Sequence, residues 1–148
     1  MTHVAIIGAG AIGQALAHIL DRNTENKLAL FDKDPAKITR AALPLPEVVQ
    51  DAEVIFMCVP SWAMRDALVE MKTHARKEAI IVSLAKGLES AHKKTMDQLL
   101  TECLPLHRIA LLGGPMLASE FISGLSGVGC LATEHSEVVE RIRRLFSG

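Results

Sequence analysis

The sequence predicts an α/β fold: a doubly wound, mostly parallel sheet between two helix layers, with residues 1–148 forming a single three-layer domain. Three observations carry this expectation. Strand-like apolar runs alternate with helix-like amphipathic segments along the whole chain. The strand-like runs are continuously apolar, most clearly Val54-Ile55-Phe56-Met57-Cys58-Val59, which is the pattern of a parallel sheet covered on both faces. A glycine-rich turn, Gly8-Ala9-Gly10-Ala11-Ile12-Gly13, joins the first strand-like run to the first helix-like one.

The first strand is expected at residues 3–7, His3-Val4-Ala5-Ile6-Ile7, and it runs straight into the glycine turn. That turn has the G-x-G-x-x-G spacing that binds a dinucleotide pyrophosphate in a Rossmann fold. Gly8 allows a tight turn off the strand. Gly10 leaves room for phosphate oxygens to reach the main chain, and Gly13 lets the next helix pack close to the strand. Gly8, Gly10, Ala11, Ile12 and Gly13 are therefore candidate cofactor contacts, with the pyrophosphate on the free N–H groups of the helix start. Behind the turn, Ile12, Leu16, Ile19 and Leu20 repeat at helical spacing.

The second strand is expected at 27–31, ended by Asp32. Asp32 lies 19 residues after Gly13, close to the ~20 residues expected of the acid that accepts hydrogen bonds from the adenosine ribose. An aspartate there repels a 2′-phosphate, so NAD is favoured and NADP remains possible, with Lys33 and Arg40 near enough in sequence to neutralise a phosphate. The competing role for Asp32 is a turn or helix cap ahead of Asp34-Pro35. Pro44 and Pro46 predict an extended connection before a short helix at 47–50.

Further strands are expected at 53–58, 79–84, 108–112 and 127–132. Between them, Met64, Ala67, Leu68 and Met71 form one helical face, and Met96, Leu99, Leu100 and Cys103 another. Val138, Ile142, Leu145 and Phe146 mark a final amphipathic helix with basic residues near its end. Ligands of open parallel sheets bind outside the carboxyl ends of the strands. Three segments fall there. In Val59-Pro60-Ser61-Trp62, Val59 and Pro60 are candidate cofactor contacts, while Ser61 as a cap and Trp62 as packing is the competing account. In Ser83-Leu84-Ala85-Lys86-Gly87-Leu88, Lys86 can point into the crevice to hold a phosphate or polarise a carbonyl oxygen, or it is simply solvated. In Gly113-Gly114-Pro115-Met116-Leu117-Ala118-Ser119-Glu120 the two glycines allow close backbone approach before a short helix, and an ordinary turn is the competing account.

Composition narrows the function. The net charge is −1, aromatic residues make up 3%, and there is no basic run, which argues against nucleic-acid binding. No apolar stretch approaches the ~20 residues that cross a bilayer, and no secretory pattern opens the chain. Cys58, Cys103 and Cys130 are widely spaced and form no metal-binding pattern, so no metal site is expected and a reducing cytoplasm fits. His92, His107 and His135 read as structural or solvated rather than as proton carriers.

Taken together, four segments resemble, in order, the NAD(P)-dependent glycerol-3-phosphate dehydrogenases. They are Gly8 to Gly13, Cys58-Val59-Pro60-Ser61, Ser83-Leu84-Ala85-Lys86-Gly87-Leu88-Glu89 and Gly114-Pro115-Met116-Leu117-Ala118-Ser119-Glu120. The resemblance covers essentially the whole chain. It implies the family's cofactor domain, with hydride transfer between glycerol 3-phosphate and dihydroxyacetone phosphate at the nicotinamide. It implies that Lys86 is the family's active-site lysine beside substrate and nicotinamide, and that Ala118 is a cofactor contact. Two departures stand out. The connection from Asp32 to Val54 is short for the family, and the family's substrate domain, with its acid/base lysine and phosphate-binding groups, has no counterpart here. The expected partners are a dinucleotide, a small phosphorylated substrate only if a second domain or chain is supplied, and a further copy through exposed apolar surface. A stand-alone NAD-binding or redox-sensing module, or the cofactor domain of a ketopantoate-reductase-like enzyme, remains an alternative.

Overall fold

The computed structural model describes residues 1–115, 117–124 and 127–147. Met116, which belongs to the Gly114–Glu120 segment singled out above, lies outside the described residues, as does Gly148. In chain order the elements begin with β1 (Thr2–Ile7), α1 (Ala11–Leu20), β2 (Asn26–Phe31), a 3-10 turn (Pro35–Lys37) and α2 (Leu45–Val49). They continue with β3 (Val54–Met57), α3 (Ser61–Met71), β4 (Ile80–Ser83) and α4 (Met96–Cys103). The last four are β5 (Arg108–Gly113), α5 (Ala118–Ile122), β6 (Cys130–Thr133) and α6 (Ser136–Leu145).

The six strands form one sheet in the order β2-β1-β3-β4-β5-β6. The first five are parallel, and β6 returns antiparallel to β5. Side chains alternate across the sheet because the strand repeat is two residues. Val4 and Ile6 of β1 therefore join Val54, Phe56 and Val82 on one face, beneath α1 and α6. Ala5 and Ile7 join Ile55, Met57 and Ile81 on the other, beneath α2, α3 and α4. That second face holds four buried methionines, Met57, Met64, Met71 and Met96, whereas the first holds none. Both faces are covered, which is why the strands read as unbroken apolar runs.

The helical faces read from the sequence pack largely as expected. Met64, Ala67, Leu68 and Met71 of α3 are buried, as are Met96, Leu99 and Leu100 of α4 and Val138, Ile142 and Leu145 of α6. Phe146 caps α6 and sets its ring edge-on to Phe56, with centroids 6.4 Å apart. In α1, Leu16 and Leu20 are buried, whereas Ile12 and Ile19 line an apolar cavity of about 630 Å³ that also touches α5 and α6.

Three expectations change. The short helix after the prolines starts at Leu45 rather than at residue 47. Pro44 is its cap and Pro46 sits in its first turn, where the missing N–H has no bond to lose. Ser61 is the first residue of α3, with Pro60 as the cap and no side-chain capping bond. The last strand begins at Cys130 rather than at residue 127, after Gly127 and Gly129, which gain little from a pleated surface. Among the described residues no helix is long and apolar enough to cross a membrane.

Candidate functional site

The order β2-β1-β3 places a topological switch point between β1 and β3, whose connections leave toward opposite faces. The glycine turn leaves β1 there. Gly8 has φ +100°, a conformation that favours glycine, and a Cβ on it would lie 2.8 Å from the Cys58 carbonyl group. Gly13 is packed still more tightly: an added Cβ would fall 1.9 Å from the Gly8 carbonyl oxygen and 3.5 Å from the Cys58 Cβ. Gly10 is different. It caps α1 with an extended backbone, and a Cβ on it would meet nothing within 4 Å. Gly8 and Gly13 thus shape the turn, while Gly10 faces open space.

That space is a cavity of about 590 Å³ at the carboxyl ends of the strands. Of the residues singled out in the sequence, Gly8, Gly10, Ala11, Ile12, Asp32, Val59, Pro60, Lys86 and Ala118 all line it. Gly13 lies behind the lining. The structure adds Lys37, Cys58, Leu84, Ala85 and Leu117.

Asp32 is held from two sides. Its Oδ2 accepts the Ala9 N–H at 2.8 Å, and its Oδ1 accepts the Asp34 N–H at 2.9 Å. The sequence offered ribose acceptor and turn residue as competing roles. The carboxylate makes the turn bond while lining the cavity, because an ionised carboxyl has about four acceptor positions. Of the two cations proposed to neutralise a phosphate, Lys33 Nζ sits 3.8 Å from Glu70 Oε2, and Arg40 is bound to Asp21. Neither lines the cavity. Of the cations that follow β2, Lys37 does line it, with Nζ 3.8 Å from Asp32 Oδ1.

The Lys86 loop is built on an ion-pair cluster around the buried Glu89. After β4, the buried Ser83 hydroxyl accepts the Ala85 N–H at 3.2 Å, and Gly87 turns the chain at φ +91°. Three residues after Lys86, Glu89 is almost wholly buried. It accepts Arg65 Nε at 2.7 Å and the His92 N–H at 2.8 Å, while Arg65 Nη1 reaches Glu102 at 2.8 Å. The Arg65 guanidinium, with help from the His92 N–H, holds the Glu89 carboxyl down at about 2. Lys86 itself is exposed. It takes part in none of the ion pairs among the described residues, so its ammonium is available to a ligand. The glutamate belonged to the recognised segment, but its role depends on Arg65, 24 residues earlier, and no local signal connects the two.

Burial pushes the Cys58 thiol up to about 12, which disfavours the nucleophilic thiolate at neutral pH. Of the histidines, His92 contacts Glu89, and His135 caps α6 with Nδ1 3.9 Å from Glu137. The imidazole of His107, partly desolvated, has its pKa lowered by that burial.

The family model for the NAD-dependent glycerol-3-phosphate dehydrogenase N-terminus matches residues 35–139. Lys86 and Ala118 fall inside that match, whereas the glycine turn and Asp32 lie before it. A glycerol-3-phosphate dehydrogenase 2 (NAD(P)+) of Sphingopyxis alaskensis is 32% identical over 97% of the chain and 49% of its own length. A glycerol-3-phosphate dehydrogenase (NAD(P)+) of Agrobacterium fabrum is 30% identical over 98% of the chain and 50% of its own length. The chain therefore spans about half the length of these relatives. The fold matches the crystal structure of glycerol-3-phosphate dehydrogenase from Coxiella burnetii with a TM-score of 0.87 at 23% identity, covering 99% of this chain and 51% of that one. With the match extending over most of its residues, the chain belongs to the NAD-dependent glycerol-3-phosphate dehydrogenase family and corresponds to its N-terminal part.

Proposed function

We propose that this chain is the NAD(P)-binding unit of a glycerol-3-phosphate dehydrogenase-like oxidoreductase. The observation that carries the reading is convergence. The glycine turn, Asp32, Lys86 and Ala118 come from four separate stretches of sequence and line one cavity. The residues fit a dinucleotide. The turn presents the start of α1 to a pyrophosphate, and Gly10 has no neighbour to exclude it. Asp32 offers its remaining acceptor positions to ribose hydroxyls, while Val59, Pro60 and Ala118 wall the cavity.

When bound, the nicotinamide supplies or accepts the hydride exchanged with C2 of the substrate. Lys86 binds the substrate oxygen at that carbon and stabilises the negative charge that builds up as a ketone is reduced. Gly87 and the Arg65–Glu89 cluster fix where that lysine projects. Substrate phosphate binding and the acid/base step require groups beyond those assigned in residues 1–148, brought by a second domain or chain. Reducing surroundings of the cytoplasmic kind suit the three free thiols. Exposed Trp62, two residues after Pro60 of the cavity, Leu88, beside Gly87 of the Lys86 turn, and Leu117, which lines the cavity, support self-association.

Calorimetric titration of the chain with NADH and NADPH, with Gly10→Val as control, tests the reading. Binding that vanishes in the variant supports it, and no binding of either nucleotide overturns it. The chain alone should show negligible dihydroxyacetone phosphate-dependent NADH oxidation, because hydride transfer needs reactants held together away from water. A clear rate that Lys86→Ala abolishes would contradict that expectation.

A further inference from the structure

Resting on the cofactor reading above, we propose that Lys37 admits the 2′-phosphate, so that the chain accepts NADP as well as NAD, with Asp32 setting the preference for NAD. Three cations follow β2, and only one is placed to act. Neither Lys33, whose Nζ lies 3.8 Å from Glu70 in α3, nor Arg40, bound to Asp21 at the end of α1, lines the cavity. Lys37 lines the cavity beside Asp32.

The two members of the Asp32–Lys37 pair differ in freedom. Asp32 is fixed, because backbone N–H groups of Ala9 and Asp34 hold both of its oxygens and its side chain is 14% exposed. It cannot rotate away from an incoming ligand. Lys37 is tethered but movable. Its carbonyl oxygen accepts a hydrogen bond from Gln14 Nε2, and Gln14 Oε1 accepts one from Thr39 Oγ1 at 3.2 Å. The Gln14 amide thereby ties residues 37–39 to α1, just behind the glycine turn. The Lys37 side chain itself is 53% exposed, and its 3.8 Å contact with Asp32 is looser than a hydrogen bond.

A flexible ammonium on a pinned backbone can change partners. With a ribose diol in place, Asp32 accepts the hydroxyls and Lys37 stays beside it. With a 2′-phosphate in place, the fixed carboxylate repels the added charge, and the Lys37 ammonium swings to the phosphate oxygens. The site then tolerates the phosphate without being built for it.

The test is the ratio of NADPH to NADH dissociation constants for the chain, Lys37→Gln and Lys33→Gln, by calorimetric titration at low and high salt. Lys37→Gln should weaken NADPH about tenfold, the loss of one charge-assisted contact, and leave NADH within about twofold. Lys33→Gln should leave the ratio unchanged, and added salt should weaken NADPH more in the unaltered chain than in Lys37→Gln. Equal weakening of both nucleotides by Lys37→Gln, or a loss of NADPH confined to Lys33→Gln, overturns the proposal while leaving the cofactor site standing. Failure of the unaltered chain to bind either nucleotide overturns the cofactor reading and this proposal with it.

Discussion

Gly10 and Gly13 sit three residues apart in one turn, and the structure predicts opposite consequences for an alanine at each. At Gly13 the new Cβ would fall 1.9 Å from the Gly8 carbonyl oxygen, so that oxygen must retreat by about 1 Å to restore a tolerable 3.0 Å contact. Overpacking of this kind costs about 1–3 kcal/mol, partly offset by the ~1 kcal/mol that alanine gains over glycine inside a helix. Because the opposing atom is backbone and cannot simply rotate away, the upper end of that cost applies, and Gly13→Ala should lose about 2 kcal/mol of stability, with the displaced turn binding nucleotide poorly. At Gly10 the backbone has φ −72° and the added carbon meets nothing within 4 Å. Gly10→Ala should stay within about 1 kcal/mol of the parent, because alanine restricts the unfolded chain but caps α1 less well than glycine. In the complex, the same carbon occupies the approach of the pyrophosphate. Loss of one charge-assisted contact, at about 1.5–3 kcal/mol, weakens NADH by roughly tenfold to a hundredfold. Urea unfolding and calorimetric titration on both variants read the two effects separately. NADH binding by Gly10→Ala at the parental affinity would refute the placement of the pyrophosphate over this turn. Parental stability in Gly13→Ala would refute the packing argument.

Phe56, fully buried in β3 and edge-on to Phe146, should cost about 3–5 kcal/mol when replaced by alanine, read as a lowered urea midpoint. A loss below about 1 kcal/mol would mean that the site collapses around the gap. The Glu89 carboxyl is held at about 2, against 4.5 for the free group, so the unfolded chain takes up its proton first as pH falls. Its contribution to stability is complete above about 4.5 and disappears as pH drops toward 2. Glu89→Gln should lower the urea midpoint near neutral pH and flatten its acid dependence across that window, and an unchanged slope would show that Glu89 does not titrate as described. With its thiol pushed up to about 12 by burial, Cys58 should resist alkylation in the folded chain at neutral pH, while exposed Cys130 reacts. Mass mapping that finds Cys58 labelled as fast as Cys130 would show that its thiol is not held up as described.

The elements were legible wherever one local pattern decided them. The unbroken apolar run around Val54 and the i, i+3, i+4 spacing of Met64, Ala67, Leu68 and Met71 each reflect burial that neighbouring residues share. The glycine turn was legible because each glycine answers a separate steric demand. What escaped depends on distant residues. Nothing near Lys37 announces that a 3-10 turn brings it, and not Lys33, to the cavity that the glycine turn lines. The Glu89–Arg65 pair joins two stretches 24 residues apart. The antiparallel return of β6 is set by the route of the chain through α5, not by the composition of the strand. Pro44 and Pro46 predict an extended connection ahead of the short helix, although at a cap and a first turn they fit the helix itself.

The unequal distribution of methionine gives the two sides of the sheet different mechanical character. The face beneath α1 and α6 is filled by branched and aromatic side chains with few rotamers, and it backs the glycine turn. The face beneath α2, α3 and α4 contains Met57, Met64, Met71 and Met96, unbranched thioethers that refill space as their neighbours shift. Arg65 and Glu89, which anchor the Lys86 loop, belong to that softer side. The half of the molecule that carries the glycine turn is consequently stiff. The half that presents the lysine has a lining able to absorb small displacements, such as those imposed when a second body closes over the cavity.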